Sequence, residues 1–384
     1  MKKIVIAIDS FKGCLTSSEA VQAASEGILQ VQPSCKTIPI PISDGGEGLL
    51  PTLLPLFKAK KREVTVHDPL MTPIKGEYGI SSDGKTALIE MATVNGLPLI
   101  PIEKRDPMQA STYGTGELIR DALEQGCRQF IIGIGGSATN DAGLGMLQAL
   151  GFRFLDKKGD LLGRGGQILS NVAQIDKTHI HPALSASHFT IACDVQNPFC
   201  GPNGAAYVFA PQKGATPEMV EKLDKGMQTL SHVIFSETGI DITDYPGAGA
   251  AGGLGGAFLA FLNAELKSGI QLVLETVHFD EQIKGADFIL TGEGKVDRQT
   301  TMGKVASGIL QAARRQQIPV MVIAGSVEDV EILNKAGFQG VFSIAPGPIS
   351  LEEAMEPVFA QKNIRRTASQ IASVFLSVKN LHPT

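Results

Sequence analysis

The sequence of 384 residues lacks several features, and each absence removes a class of function. No apolar run approaches the roughly 20 residues that a membrane-spanning helix needs. The opening MKKIVIAIDS has a basic tip, but its hydrophobic stretch stops at Asp9, too soon for a secretory leader. Basic excess is missing too: 34 Lys and Arg stand against 39 Asp and Glu, a formal charge of -5 spread along the chain, so nothing marks a nucleic-acid surface. The one basic cluster, Lys58 to Arg62, reads as a solvated helix end. The five cysteines are odd in number and form no C-x-x-C pair, which argues against a disulfide framework or structural zinc and for a reducing compartment. His179 and His181 lie in a polar connection without an acidic or cysteine partner at ligand spacing. No G-x-S-x-G elbow supports serine hydrolysis, and no fixed period supports a solenoid or propeller. A soluble, cytoplasmic protein without nucleic-acid or membrane partners is the expectation.

What is present is a grammar of strands and helices. KIVIAI is a continuous apolar run, as in a strand buried on both faces, and Thr16 with Glu19 forms the capping-box pattern T-x-x-E that opens a helix. TIPIPI reads as a second strand and GLLPTLLPLF as a second helix despite its prolines. From about Arg62 the segments EVTVHDP, KGEYGIS and KTALIEMA alternate apolar and polar residues, as half-buried strands do. The earlier grammar returns at GADFILTGEG and continues through IPVMVIAGSV and GVFSIAPG to a long C-terminal helix. The fold class predicted is α/β in two domains: a parallel α/β domain built from both chain ends, residues 1–62 plus 285–384, and an inserted mixed α/β domain, residues 63–284. The glycine-dense stretch GAGAAGGLGGAFLAF, from Gly247, reads as close backbone packing or a helix entrance, with a ligand loop as the alternative.

Two glycine motifs compete for a phosphate. GISSDGKT, Gly79 to Thr86, matches the phosphate-loop signature, but the segments on either side look like two strands around an Asp-Gly turn, so a hairpin is expected. FIIGIGGSATNDAGLG, from Phe130, has the strand, turn and helix order in which backbone N–H groups meet an anion. Its Gly133, Gly135 and Ala138, with Asp156 further on, also resemble a dinucleotide fingerprint, although Asn140 and Asp141 suit a nucleotide with Mg²⁺ better. Three further acidic loops follow apolar runs, at Asp44, at Asp194, and at Glu293 with Asp297. In open α/β sheets such loops converge on one crevice, where phosphoryl transfer needs a proton acceptor, carboxylates for Mg²⁺, and cations such as Lys12 and Lys295.

Six blocks in order, IAIDSFKGCLTSSEA, PISDGGEG, IGIGGSATNDAGLGML, CDVQNPFCGPNGAA, GAGAAGGLGGA and LTGEGKVDRQTTMGK, resemble the glycerate kinase type I family from residue 4 to about 325. The resemblance implies a two-domain kinase, one domain flavodoxin-like, with its active site in the cleft between them. ATP and Mg²⁺ would phosphorylate D-glycerate, giving 2-phosphoglycerate. Cys14 stands where a serine is common. Carried onto this chain, the resemblance makes Asp194, Lys12 and Asp297 the catalytic candidates, and Glu293 and Asp297 the metal ligands. Gly135, Gly136, Ser137, Thr139, Asn140, Gly292, Gly294 and Lys295 would hold ATP, and Asp44 and Arg298 the substrate, with Lys12 a second anchor for its carboxylate. A nicotinamide-dependent dehydrogenase of a small hydroxy acid and a non-catalytic sugar-acid-binding regulator remain as alternatives.

Overall fold

The computed structural model describes residues 2–42, 48–301 and 305–381. Its strands in chain order are β1 (Lys3–Ile8), β2 (Lys36–Pro41), β3 (Lys60–His67), β4 (Pro73–Ile80), β5 (Thr86–Glu90), β6 (Gln129–Gly133), β7 (Arg153–Leu155), β8 (Gln174–Asp176), β9 (His188–Ala192), β10 (Glu265–Lys267), β11 (Phe288–Val296), β12 (Val320–Val327) and β13 (Gly340–Ser343). Two compact units emerge, residues 1–44 with 270–384, and residues 45–269. Each has its own buried core.

The first unit is a five-stranded sheet in the order β2-β1-β11-β12-β13, parallel throughout. Ile4 to Ile8 are wholly buried because β1 is covered on both faces, as parallel strands in layered α/β folds are. Thr16 caps the helix Ser17–Val31 as expected: its backbone N–H donates to the Glu19 carboxylate at 2.9 Å while its hydroxyl accepts from the Glu19 N–H at 3.2 Å. That helix packs on the helix Pro357–Leu381 so closely that a Cβ at Gly27 would lie 2.1 Å from the Arg365 carbonyl oxygen. This strand order is the flavodoxin-like 2-1-3-4-5, which reverses direction between β1 and its neighbour β11.

The second unit holds a six-stranded mixed sheet in the order β3-β4-β5-β6-β9-β10, with β7 and β8 forming a separate small ribbon. The pairs β3–β4 and β4–β5 are antiparallel, while β5, β6, β9 and β10 run parallel. The unit boundaries fall at 44/45 and 269/270, earlier than the 62/63 and 284/285 read from the sequence. The helix Leu49–Leu56 is the reason: its contacts are with β5 and β4, and Glu90 at the end of β5 accepts from the Leu50 N–H at 3.0 Å. GISSDGKT is the hairpin between β4 and β5, with Gly84 at φ +72 and Lys85 exposed at its tip. Among the described residues no helix is long and apolar enough to cross a membrane.

Candidate active site

In the first unit the C-terminal ends of β1, β11, β12 and β13 open onto a cavity of about 530 Å³. Open parallel sheets bind ligands there, at the point where strand order reverses. Lys12, Glu293, Gly294 and Lys295 line it, so four residues singled out in the sequence come together. Lys295 Nζ lies 3.0 Å from Glu328 and 3.8 Å from Asp297. The hydrogen bond that Lys295 donates to Glu328 and the charge of that carboxylate, with Asp297 adding to both, hold the Lys295 ammonium above the usual lysine range. The predicted loop at ILTGEGKVD is instead the far end of β11, because Gly292 lets the strand continue close beside β12. Gly292 is therefore a packing residue: it pairs with Ile8 and Ile323, and a Cβ there would lie 2.4 Å from the Ile323 carbonyl oxygen.

Asp297 follows β11 and starts the turn Arg298–Thr301, its Oδ1 accepting the Gln299 N–H at 2.8 Å. Thr300 joins it to Glu293, donating its hydroxyl to Glu293 Oε1 at 3.3 Å and accepting the Asp297 N–H at 3.2 Å. No group of three His, Cys, Asp or Glu side chains that could hold a metal is found among the described residues. Two carboxylates completed by phosphate oxygens and water are a usual Mg²⁺ environment, so this pair fits a cation that arrives with a nucleotide. Arg298 does not line the cavity; it is exposed and paired with Asp329 at 3.5 Å. Asp44 lies outside the described residues.

In the second unit the parallel strands β5, β6 and β9 end side by side, Glu90 opposite Gly133 and Gly133 opposite Ala192. The turn after β6 exposes Gly135 and Gly136, with Ser137 only 7% exposed. The turn's own hydrogen bonds run from Leu97 N–H to the Gly136 oxygen and from Ala138 N–H to the Asn95 oxygen, so they do not draw on the N–H groups of Gly135, Gly136 or Ser137. Successive N–H groups of that kind form an anion-binding concavity. Thr139 and Asn140 were expected beside the phosphates, yet both side chains are fully buried and shape the turn from within. The Asn140 amide donates to Met227 Sδ at 3.4 Å, while Thr139 Oγ1 and Asn140 Oδ1 find no partner.

Asp141 is buried as well and ties the turn to the helix Tyr113–Glu124. Its Oδ2 accepts from the Thr112 N–H at 2.8 Å, the Thr112 hydroxyl at 2.9 Å and the Gly145 N–H at 3.1 Å; its Oδ1 accepts from the Gly143 N–H at 3.1 Å. Burial pushes its carboxyl up, against the pull of those donors. Asp194, after β9, is exposed, and its Oδ1 accepts from the Gly269 N–H at 2.9 Å at the start of the helix Gly269–Thr276. Asp156, the expected ribose ligand of a dinucleotide site, instead caps its own turn through the N–H groups of Lys158 and Asp160, which removes that reading.

The glycerate kinase family profile matches residues 4–376. The chain belongs to the glycerate kinase family. It is 44% identical to a glycerate kinase of Halalkalibacterium halodurans, over 93% of this chain and 94% of that one. It is 43% identical to glycerate 2-kinase of Escherichia coli, over 97% of each. A crystal structure presented as glycerate kinase 2 of Salmonella typhimurium LT2 superposes with a TM-score of 0.89 at 41% identity, covering 99% of both chains.

One residue of this glycerate kinase family chain escaped the sequence reading. Lys213 ends the short turn Pro211–Lys213 and is only 2% exposed, directly beneath the glycine turn. Its Nζ donates to Ser137 Oγ at 2.8 Å and to the Thr139 carbonyl oxygen at 2.7 Å. Burial pulls its ammonium down to about 7, with the Asp141 carboxylate opposing. Since Ser137 Oγ accepts from Lys213, its own proton is directed elsewhere. The signal in the sequence is faint: a lysine between proline and glycine in the apolar context FAPQKGA.

Proposed function

We propose that this chain transfers the γ-phosphoryl group of ATP to the C2 hydroxyl of D-glycerate, with Mg²⁺. The observation that carries the reading is full-length membership of the glycerate kinase family, joined to a cavity at the strand-order reversal lined by Lys12, Glu293 and Lys295. The roles follow from charge. Phosphoryl transfer spreads negative charge over the transferred oxygens, so catalysis is mostly positioning and electrostatic stabilisation. Lys12 and Lys295 supply cations to the phosphates; Glu293 and Asp297 would hold Mg²⁺, which neutralises phosphate charge when bound. The N–H groups of Gly135, Gly136 and Ser137 receive an anionic group, a phosphate or the substrate carboxylate. Asp194 accepts the proton of the attacking hydroxyl, its orientation fixed by the Gly269 N–H.

A coupled assay of ADP release should give a signal that depends on D-glycerate, and phosphorus NMR should show 2-phosphoglycerate; folded protein with metal and no glycerate-dependent release contradicts the reading. In the same assay Asp194→Asn should lower kcat by about a hundredfold or more. The amide oxygen can still accept the Gly269 N–H, so the loop is retained while the proton acceptor is lost. Near-parent kcat in that variant would restrict Asp194 to its structural contact.

A further inference from the structure

Lys12, Glu293 and Lys295 occupy only part of the cavity in the first unit, and the rest of its wall is of another chemistry. Phe11, Ile344, Leu351, Met355 and Phe359 give it an apolar face. Into this face comes one polar side chain from the helix Pro357–Leu381: Asn363 lines the cavity, is 5% exposed, and has no hydrogen bond to its amide among the described residues. The amide opens into the cavity, so its donor and acceptor are left to whatever occupies it. An apolar slot of this size, with one convergent polar group and cations beside it, suits a planar heterocycle attached to phosphates.

We propose that this apolar part of the cavity seats the purine base of the nucleotide and that Asn363 reads it as adenine. The inference rests on the kinase reading above and adds the base-binding residues to it. An amide presents one acceptor and one donor side by side, which complements the N6 amino group and adjacent ring nitrogen of adenine. Guanine carries a carbonyl oxygen where adenine carries that amino group, so the amide's acceptor would face an acceptor there. Asn363 thus sets the choice of donor nucleotide, while Lys12 and Lys295 at the strand ends meet the phosphates.

The test compares ATP and GTP as donors. The parent should favour ATP, and Asn363→Leu should raise KM for ATP about tenfold and bring the ATP to GTP ratio of kcat/KM within about threefold of unity, leaving KM for D-glycerate within about twofold. An unchanged ATP to GTP ratio in folded Asn363→Leu overturns the assignment. Met355→Trp, at a position 37% exposed where a larger ring obstructs the slot without entering the core, should also raise KM for ATP about tenfold and leave KM for D-glycerate alone. Equal rises in both KM values in both variants speak against a base seat. Photolabelling with 2-azido-ADP separates the two proposals, because it needs no turnover. Label on residues 349–363 supports the seat even if glycerate proves not to be the acceptor, and label confined to residues 130–145 overturns it even if glycerate is phosphorylated.

Discussion

A single buried ammonium illustrates how charge is placed in this chain. Lys213 is held by Ser137 and Thr139 under the glycine turn, so its ammonium, when protonated, places a positive charge below the turn's N–H groups. Keeping it there has a pH signature. The folded ammonium titrates near 7 while an unfolded lysine titrates near about 10.4, so between those values the native state binds fewer protons than the unfolded state. Stability from this group therefore rises with pH across that window and is flat below it. Lys213→Met should abolish the rise: the melting temperature of the parent relative to the variant is expected to climb by several degrees from pH 7 to pH 9.5. A constant difference across that range would show that the ammonium is not buried as described. The placement of Asp194, Glu293, Lys12 and Lys295 at or beyond strand ends was legible because each follows an apolar run. Lys213 was not, because its burial depends on a turn brought over it by residues 74 and 76 positions earlier in the chain.

At the level of elements, the glycine-dense segment from Gly247 is the foundation on which the glycine turn after β6 stands. Within the helix Ala250–Leu262 the backbone leaves helical geometry at Ala251, Gly252 and Gly253, and Gly252, at φ +69, accepts the Ala142 N–H at 3.0 Å. A Cβ at Gly252 would lie 2.1 Å from the Thr139 carbonyl oxygen, the same oxygen that Lys213 holds. Gly252→Ala should cost about 2–4 kcal/mol, from overpacking and from the left-handed conformation together. Urea unfolding measures it; a loss under about 1 kcal/mol would mean that the turn can move away freely. The sequence reading of this segment as close packing holds for that reason. The hairpin at GISSDGKT was legible from the alternation on both sides of Asp83 and Gly84, whereas the extent of β11 was not. Paired glycines in GEG look like a turn until a neighbouring strand, here β12, approaches close enough to require glycine at 292.

Over the whole molecule, residues 45–269 form a unit with a core drawn only from its own residues, from Val66 to Leu262. The segment should fold alone: expressed without the rest, it is expected to be soluble and to melt in one cooperative transition, and a gradual melt with exposed apolar surface would contradict this. The two-domain plan was legible because both chain ends share one strand-helix grammar, but the boundary was not, since the helix Leu49–Leu56 has the composition of either unit and only its partners β4 and β5 place it. The other unit cannot close so early. β1 lies between β2 and β11, and Ile4 pairs with Phe288, so one flank of the most deeply buried strand is supplied 284 residues after the strand itself. At roughly 5–20 residues per second on the ribosome, that partner arrives about 15–60 s later. Through that interval KIVIAI has only β2 to pair with, while the insertion has been made and has had time to close. The order of birth is thus the reverse of the order in the chain: the middle matures first, and the cavity at the ends of β1 and β11 takes shape only after it.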